Sequence, residues 1–276
     1  MPSHAGADFS FVHFTDTHIM PGGTWQGLDT AVSLRRVMGV IVTLEPKPAF
    51  AIVGGDLASP DLIDRTRVLT SAEYEPAYRL LREIVGVLPF PVHFILGNHD
   101  DRPAFHRMME TRAASADTRH HWAFDHQGYR FIGLDSHVPG NAWGEMDGAQ
   151  LAWLDADLDA HAGQPAIVFV HHHPWPLGLA WMDSMPLRNG ADLVAVLERH
   201  PTARWIVCGH VHMDQQIQRD GLTMLTTPST CLQVSKLSQA RKFSAGPPGF
   251  RLVEVKGRTL STRVLHLHGD AGVADL

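Results

Sequence analysis

The stretch AIVFVHHHP, residues 166–174, runs five apolar residues into three histidines and a proline. Its length and its Val, Ile and Phe content predict a strand, and its unbroken apolar character predicts burial on both faces. Side chains alternate along an extended chain, so His171 and His173 share one side and His172 takes the other. His171 is the first residue past the strand and is read as the one facing a site. His173 is read as approaching a substrate, and His172 as structural.

Four other segments repeat this form: FSFVHFTDTH (9–18), AFAIVGGD (49–56), PVHFILGNHD (91–100) and RWIVCGHVH (204–212). Helical patterns separate them. Leu34, Val37, Met38, Ile41 and Val42 fall at helical spacing. Thr70 and Glu73 have the spacing of a capping box ahead of the stripe Ala77, Tyr78, Leu81, Ile84, Val85 and Leu88. Residues 147–161, with Leu151, Leu154 and Leu158, and residues 192–200 repeat the theme. Strands alternating with helices predict an α/β architecture with much parallel pairing. Hairpins are expected around Gln127–Gly128, Asp220–Gly221 and Lys256–Gly257. The chain is read as a single domain, 1–276, with residues 230–276 as a C-terminal lid and hairpin extension and 235–249 as its long loop.

A net charge of −6 argues against tracking a nucleic-acid polymer, which rewards a cationic surface. Two cysteines, Cys208 and Cys231, are too few for a disulfide framework, and Cys208 reads as a reduced core thiol. No apolar run approaches the roughly 20 residues of a membrane span, and the N-terminus lacks a basic start followed by an apolar stretch. The expected location is the cytoplasm.

Five strand-like segments thus each end in Asp, Asn or His. In open α/β sheets the carboxyl edge is where ligands bind, so these side chains should converge. The set is Asp16, His18, Asp56, Asn98, one of His171–His173 with His171 preferred, His210 and His212. Seven donors exceed the needs of one open metal site. Two ions fit if one carboxylate bridges, and Asp56 is the expected bridge. The mixed nitrogen and oxygen set suits Mn, Fe, Zn or Co. A metal pair lowers the pKa of a water, presents hydroxide to phosphorus and neutralises the phosphate oxygens.

The order D-x-H, GD, GNHD, H, GHxH resembles the calcineurin-like metallophosphoesterases from about Phe11 to about Leu267. HHHPWPLG, LRNGADLVAVLERHP, CGHVH, TTPSTCLQ and PPGFRLVEV look like the class III cyclic-nucleotide phosphodiesterases in particular. The resemblance implies a four-layer αββα sandwich with two mixed β-sheets. It implies one metal on Asp16, His18, Asp56 and His212, and a second on Asp56, Asn98, His171 and His210. It places His99 as the catalytic residue beside the phosphate, with Asn98 and His99 contacting substrate. It implies hydrolysis of 3′,5′-cyclic nucleotides, cyclic AMP to AMP, by a homodimer. Glycerophosphodiesters, other diesters and phosphonate monoesters are alternatives on the same site, and a non-catalytic scaffold is the alternative of another class.

Nineteen histidines exceed the need, so most are read as structural. His13 and His93 should hydrogen-bond locally within strands. The pairs His120–His121 and His266–His268 lack carboxylate partners in register. Asp100 is expected to orient His99 or to cap the next helix. Asn141, Arg188 and Asn189 are candidate contacts to a nucleotide, and loops 21–28, 139–146, 176–190 and 230–249 are expected to select substrate.

Overall fold

The computed structural model describes residues 8–110, 118–234 and 243–268, and the backbone of 272–275. In chain order its elements are β1 (Asp8–Phe14), α1 (Thr30–Ile41), β2 (Ala51–Val53), α2 (Ser71–Val85), β3 (Val92–Phe94), α3 (Arg102–Met108), β4 (Trp122–His126) and β5 (Tyr129–Gly133). There follow α4 (Gly148–Ala160), β6 (Ala166–Val170), α5 (Gly190–Arg199), β7 (Ala203–Cys208), β8 (Gln215–Arg219), β9 (Leu222–Thr226), β10 (Gln233–Val234) and β11 (Phe243–Ser244). β12 (Gly249–Lys256), β13 (Thr259–His268) and β14 (Gly272–Asp275) complete the series.

Two six-stranded sheets carry the architecture, in the orders β14-β13-β12-β1-β2-β3 and β4-β5-β6-β7-β9-β8. Both are mixed. β1, β2 and β3 run parallel, as do β5, β6, β7 and β9, while the added hairpins pair antiparallel. The unbroken apolar runs have a physical cause. On β6, Ile167 and Phe169 enter the core between the sheets, and Val168 and Val170 enter a second core under α4 and α5. On β1, Phe11 faces the inter-sheet core while Val12 and Phe14 face the core under α1, α2 and α3. Three apolar layers between four layers of structure make the αββα sandwich. Both faces of each central strand are dry, so alternation of polar and apolar residues is lost.

The helices start where local chemistry allows. Asp29, Asp101 and Asp147 cap α1, α3 and α4 by accepting an N–H from the first turn. At α2, the Glu73 carboxylate reaches back to the Thr70 N–H at 2.8 Å. The first two hairpins turn at Gln127–Gly128 and Asp220–Gly221, with positive φ at all four residues. The third turns one residue later than expected, at Gly257–Arg258, because Lys256 still pairs with Thr259 and only Gly257 supplies the positive φ. Residues 235–242 of the expected long loop lie outside the described residues. Its remainder supplies Phe243 and Ser244, which pair with β10.

Among the described residues no helix is long and apolar enough to cross a membrane. Cys208 is buried and unpaired in the core, as expected.

Candidate metal centre

β1, β2 and β3 in one sheet and β6 and β7 in the other end at a common edge, and their successor residues meet there. Asp16, His18, Asp56, His171, His210 and His212 are all buried. Asn98 and His99 are half-buried and, with His18, Asp56, His210 and His212, line a cleft of about 680 Å³. Glycine makes the approach possible. A Cβ on Gly209 would collide with Thr15 and with the Gly54 carbonyl, and one on Gly97 would collide with Asp56.

The backbone at this edge is unusual. Asp16, His18, Asp56, His210 and His212 all have positive φ, between 43° and 68°. A left-handed non-glycine residue costs about 1–2 kcal/mol, and such strain persists where the surrounding structure dictates it. It turns each side chain back over the strand end and toward its neighbours.

Distances within the cluster are short. His212 Nε2 lies 3.3 Å from Asp16 Oδ1 and 3.2 Å from His18 Nε2. His18 Nε2 lies 3.7 Å from Asp56 Oδ2, and His171 Nε2 lies 3.4 Å from Asp56 Oδ1. Asp56 thus stands between His18 and His171, the position a bridging carboxylate requires. The far nitrogen of each ring is held: His171 Nδ1 donates to the Gly54 carbonyl at 2.7 Å, His212 Nδ1 to the Leu232 carbonyl at 2.5 Å, and His18 Nδ1 meets Ser59 Oγ at 2.8 Å. Holding Nδ1 in this way leaves Nε2 as the donor, the usual arrangement behind a metal-bound imidazole.

The fit to divalent cations rests on unanswered donors. His171 Nε2, His210 Nε2 and Asn98 Oδ1 are buried and accept no hydrogen bond. Leaving such atoms unpaired is costly unless a cation meets them. The local field favours one. Burial works to lower the His171 imidazole, yet the Asp56 and Asp16 carboxylates outweigh it and lift it to about 9. His18 and His210 are pushed well down, chiefly by burial. Burial works to raise Asp56, but His171 and His99 hold it well below the carboxylate range.

His99 donates its backbone N–H to Asp56 Oδ1 at 2.9 Å, and its Nδ1 lies 2.7 Å from Asp61 Oδ2. Burial lowers this imidazole, but Asp56 and Asp61 together raise it to about 9. Asp61 is a residue that sequence reasoning missed. Its only signal is a second carboxylate five residues after Asp56 in the same turn. Ser59, which holds His18, was missed likewise.

Several expectations change. His172 has the structural partner expected of it, its Nδ1 meeting Ser136 Oγ at 2.7 Å, but its ring does not leave the cluster. The chain bends after Val170, and the His172 ring lies 4.7 Å from that of His210, within a group of donors that also includes His171. His173 stacks on His210 at 5.8 Å and sits 3.8 Å from Asp183, and it is not among the residues lining the cleft. Asp100 neither orients His99 nor caps α3, whose cap is Asp101. Its carboxylate gathers the N–H groups of Leu57, Ala58 and Gly97 and the Tyr78 hydroxyl, clamping the two turns that carry Asp56 and Asn98. Cys231 Sγ lies 3.3 Å from the Asp16 carbonyl, in a donor group with His18 and His212.

His13 bonds not locally but across the fold, to Thr227 at 2.7 Å, and His93 stacks on Phe124 at 4.1 Å. His120 bonds the Phe94 carbonyl, His121 packs on Trp153, and the rings of His266 and His268 lie 6.3 Å apart. Arg188 lies over Trp143, and Asn189 bonds the Met146 backbone through both ends of its amide, so both have structural partners. Asn141 lines the cleft.

Comparison with known proteins bears on the family and the fold. A model of the calcineurin-like phosphoesterase family matches residues 9–214. The 3′,5′-cyclic adenosine monophosphate phosphodiesterase CpdA of Escherichia coli K12 is 32% identical over 208 residues, 75% of this chain and 74% of that protein. The glycerophosphodiester phosphodiesterase GpdQ of Enterobacter lignolyticus is 30% identical, covering 80% of this chain and 77% of the relative. Among solved structures, a dimetal phosphatase of Danio rerio superposes with a TM-score of 0.66 at 16% identity, covering 92% of this chain and 98% of the other, a likeness of fold.

Proposed function

This chain belongs to the calcineurin-like phosphoesterase family and is a metal-dependent phosphodiesterase, and from that premise we propose that it hydrolyses 3′,5′-cyclic nucleotides, cyclic AMP first. The observation that carries the reading is the convergence of two buried carboxylates with imidazole Nε2 atoms beside the His99–Asp61 pair. The cyclic substrate is supported by likeness to proteins named for that activity.

Asp16, His18, Asp56 and His212 would hold one ion, and Asp56, Asn98, His171 and His210 the other. Bound there, divalent cations neutralise the phosphate oxygens and lower the pKa of a water that attacks phosphorus. The chain's own residues do the rest. Asp56 joins the two donor groups. Asn98, which lines the cleft, offers its amide to the phosphate. Asp61 holds His99 Nδ1, leaving Nε2 to give a proton to the departing ribose 3′ oxygen. The attacking water adds its oxygen to phosphorus, the P–O3′ bond breaks, and the product is the 5′ monophosphate. Mn, Fe, Zn and Co all suit this donor set. The two buried free thiols are compatible with a reducing cytoplasm.

A second reading keeps the site and exchanges the substrate for a glycerophosphodiester, in line with the likeness to GpdQ. Ligands that touch only phosphate do not discriminate between the two. A panel of cyclic AMP, cyclic GMP, 2′,3′-cyclic AMP and glycerophosphoethanolamine, compared by kcat/KM with each of the four metals, decides. The highest value is expected for a 3′,5′-cyclic nucleotide, and a preference for the glycerol ester overturns the first reading. Sedimentation velocity reads the proposed homodimer.

A further inference from the structure

The phosphodiesterase chemistry uses the donors and His99 and leaves one wall of the cleft without a task. That wall begins at the metal centre. The ring centre of Trp25 lies 4.5 Å from that of His18, and the ring centre of Phe243 lies 5.3 Å from that of His212. Trp25 and Phe243 stand 4.7 Å apart, and Trp181 continues the wall 5.8 Å beyond Phe243. Met182 and Met185 extend it, and all five side chains line the cleft. Trp25 is only 7% exposed, whereas Phe243 and Trp181 are half-buried and keep surface for a ligand.

The wall is tied to the site. Phe243 lies on β11, whose partner strand β10 donates the Val234 N–H to the His212 carbonyl at 3.1 Å. Trp181 and Phe243 pack into one apolar cluster with Met182, Val211 and Val234.

Phosphate and glycerol gain nothing from such a surface and an ethanolamine ammonium gains a cation–π contact with one ring, while a flat heteroaromatic ring gains by stacking across it. Methionine side chains adapt to the ring's outline. We propose that Phe243 and Trp181 form a nucleobase subsite. A nucleotide enters with its phosphate at the donors and its base on the aromatic wall, the ribose spanning the gap. The placement of the phosphate rests on the diesterase reading above. The subsite gives the chain a means of preferring a nucleotide that the metal donors do not supply.

The test compares 5′-AMP with ribose 5-phosphate, which carries an anomeric hydroxyl in place of the base, titrated calorimetrically into manganese-loaded protein. Base stacking on an aromatic side chain predicts that the wild type binds AMP at least about tenfold more tightly. Trp181→Ala and Phe243→Leu should each bring the two ligands to within about threefold, and Trp181→Phe should restore much of the difference. Equal binding in the wild type, or a preference that survives both variants, overturns the subsite. Cyclic AMP hydrolysis measured alongside separates the two conclusions. Turnover without an AMP preference removes the subsite and keeps the diesterase reading. An AMP preference without turnover of cyclic AMP keeps the subsite and removes the cyclic substrate.

Discussion

The hairpin edge and the metal edge of the sheets use the same left-handed backbone for opposite ends. At the hairpin turns, Gln127 and Asp220 adopt φ of 44° and 50°, each followed by a glycine, and both side chains are exposed. At the metal edge, Asp16, His18, Asp56, His210 and His212 adopt the same conformation while buried. In the turns the conformation closes a hairpin and leaves the side chain exposed, Gln127 accepting the Asp8 N–H at 3.2 Å. At the metal edge it aims five buried polar groups at one another, with carboxylates and imidazoles in contact and His210 Nε2 left without a hydrogen-bond partner. The difference teaches that positive φ is no signature of function by itself. Positive φ combined with burial and converging donors is.

The largest expected effect tests the shared carboxylate. Asp56→Ala should abolish diester hydrolysis and lower the metal content measured by plasma mass spectrometry, and a variant that still binds two ions would break the comparison. His99→Ala should retain the metals and lose about 10²- to 10⁴-fold in kcat. An unchanged kcat removes His99 from the chemistry. Ser59→Ala frees His18 Nδ1 and should weaken metal binding by about 10- to 100-fold, read by competition with a chelator.

Asp135 sharpens the contrast on the same edge. It follows β5 and is buried, but Arg102 meets it at 2.7 Å, so its partner is a guanidinium where Asp16 and Asp56 face imidazoles. Burial works to raise its carboxyl, and Arg102 with its hydrogen bonds outweighs that and holds it low. A depressed folded pKa contributes stability above the unfolded value, about pH 4, and loses it as pH falls through the folded value. Urea unfolding below about pH 4 should show this acid-side loss, and Asp135→Asn should flatten it. The smallest effect belongs to the hairpin edge: Asp220→Asn, which suits the turn equally, should shift stability by no more than about half a kcal/mol and leave hydrolysis unchanged.

The central strands, helix stripes and turn glycines were legible in the chain because each depends on neighbours a few residues away. The seven candidate donors were legible because five strand ends, repeated in one form, must share an edge once the sheet is parallel. The departures lie where local rules stop. His172 follows alternation only while the strand lasts, and the bend after Val170 swings its ring toward His210. Asp100 reads as a cap or an orienter, yet the turns it clamps come from two strands.

Periodicity and the polar punctuation of buried strands therefore determined the α/β alternation and which polar side chains stand at the strand ends, while the layered sandwich was implied by the family resemblance. Only the tertiary structure decided which nitrogen each imidazole offers, that Asp61 holds His99, and that Trp25, Phe243 and Trp181 meet along one wall. Those facts depend on contacts between segments far apart in the chain, and no local pattern carries the distance between side chains that packing alone brings together.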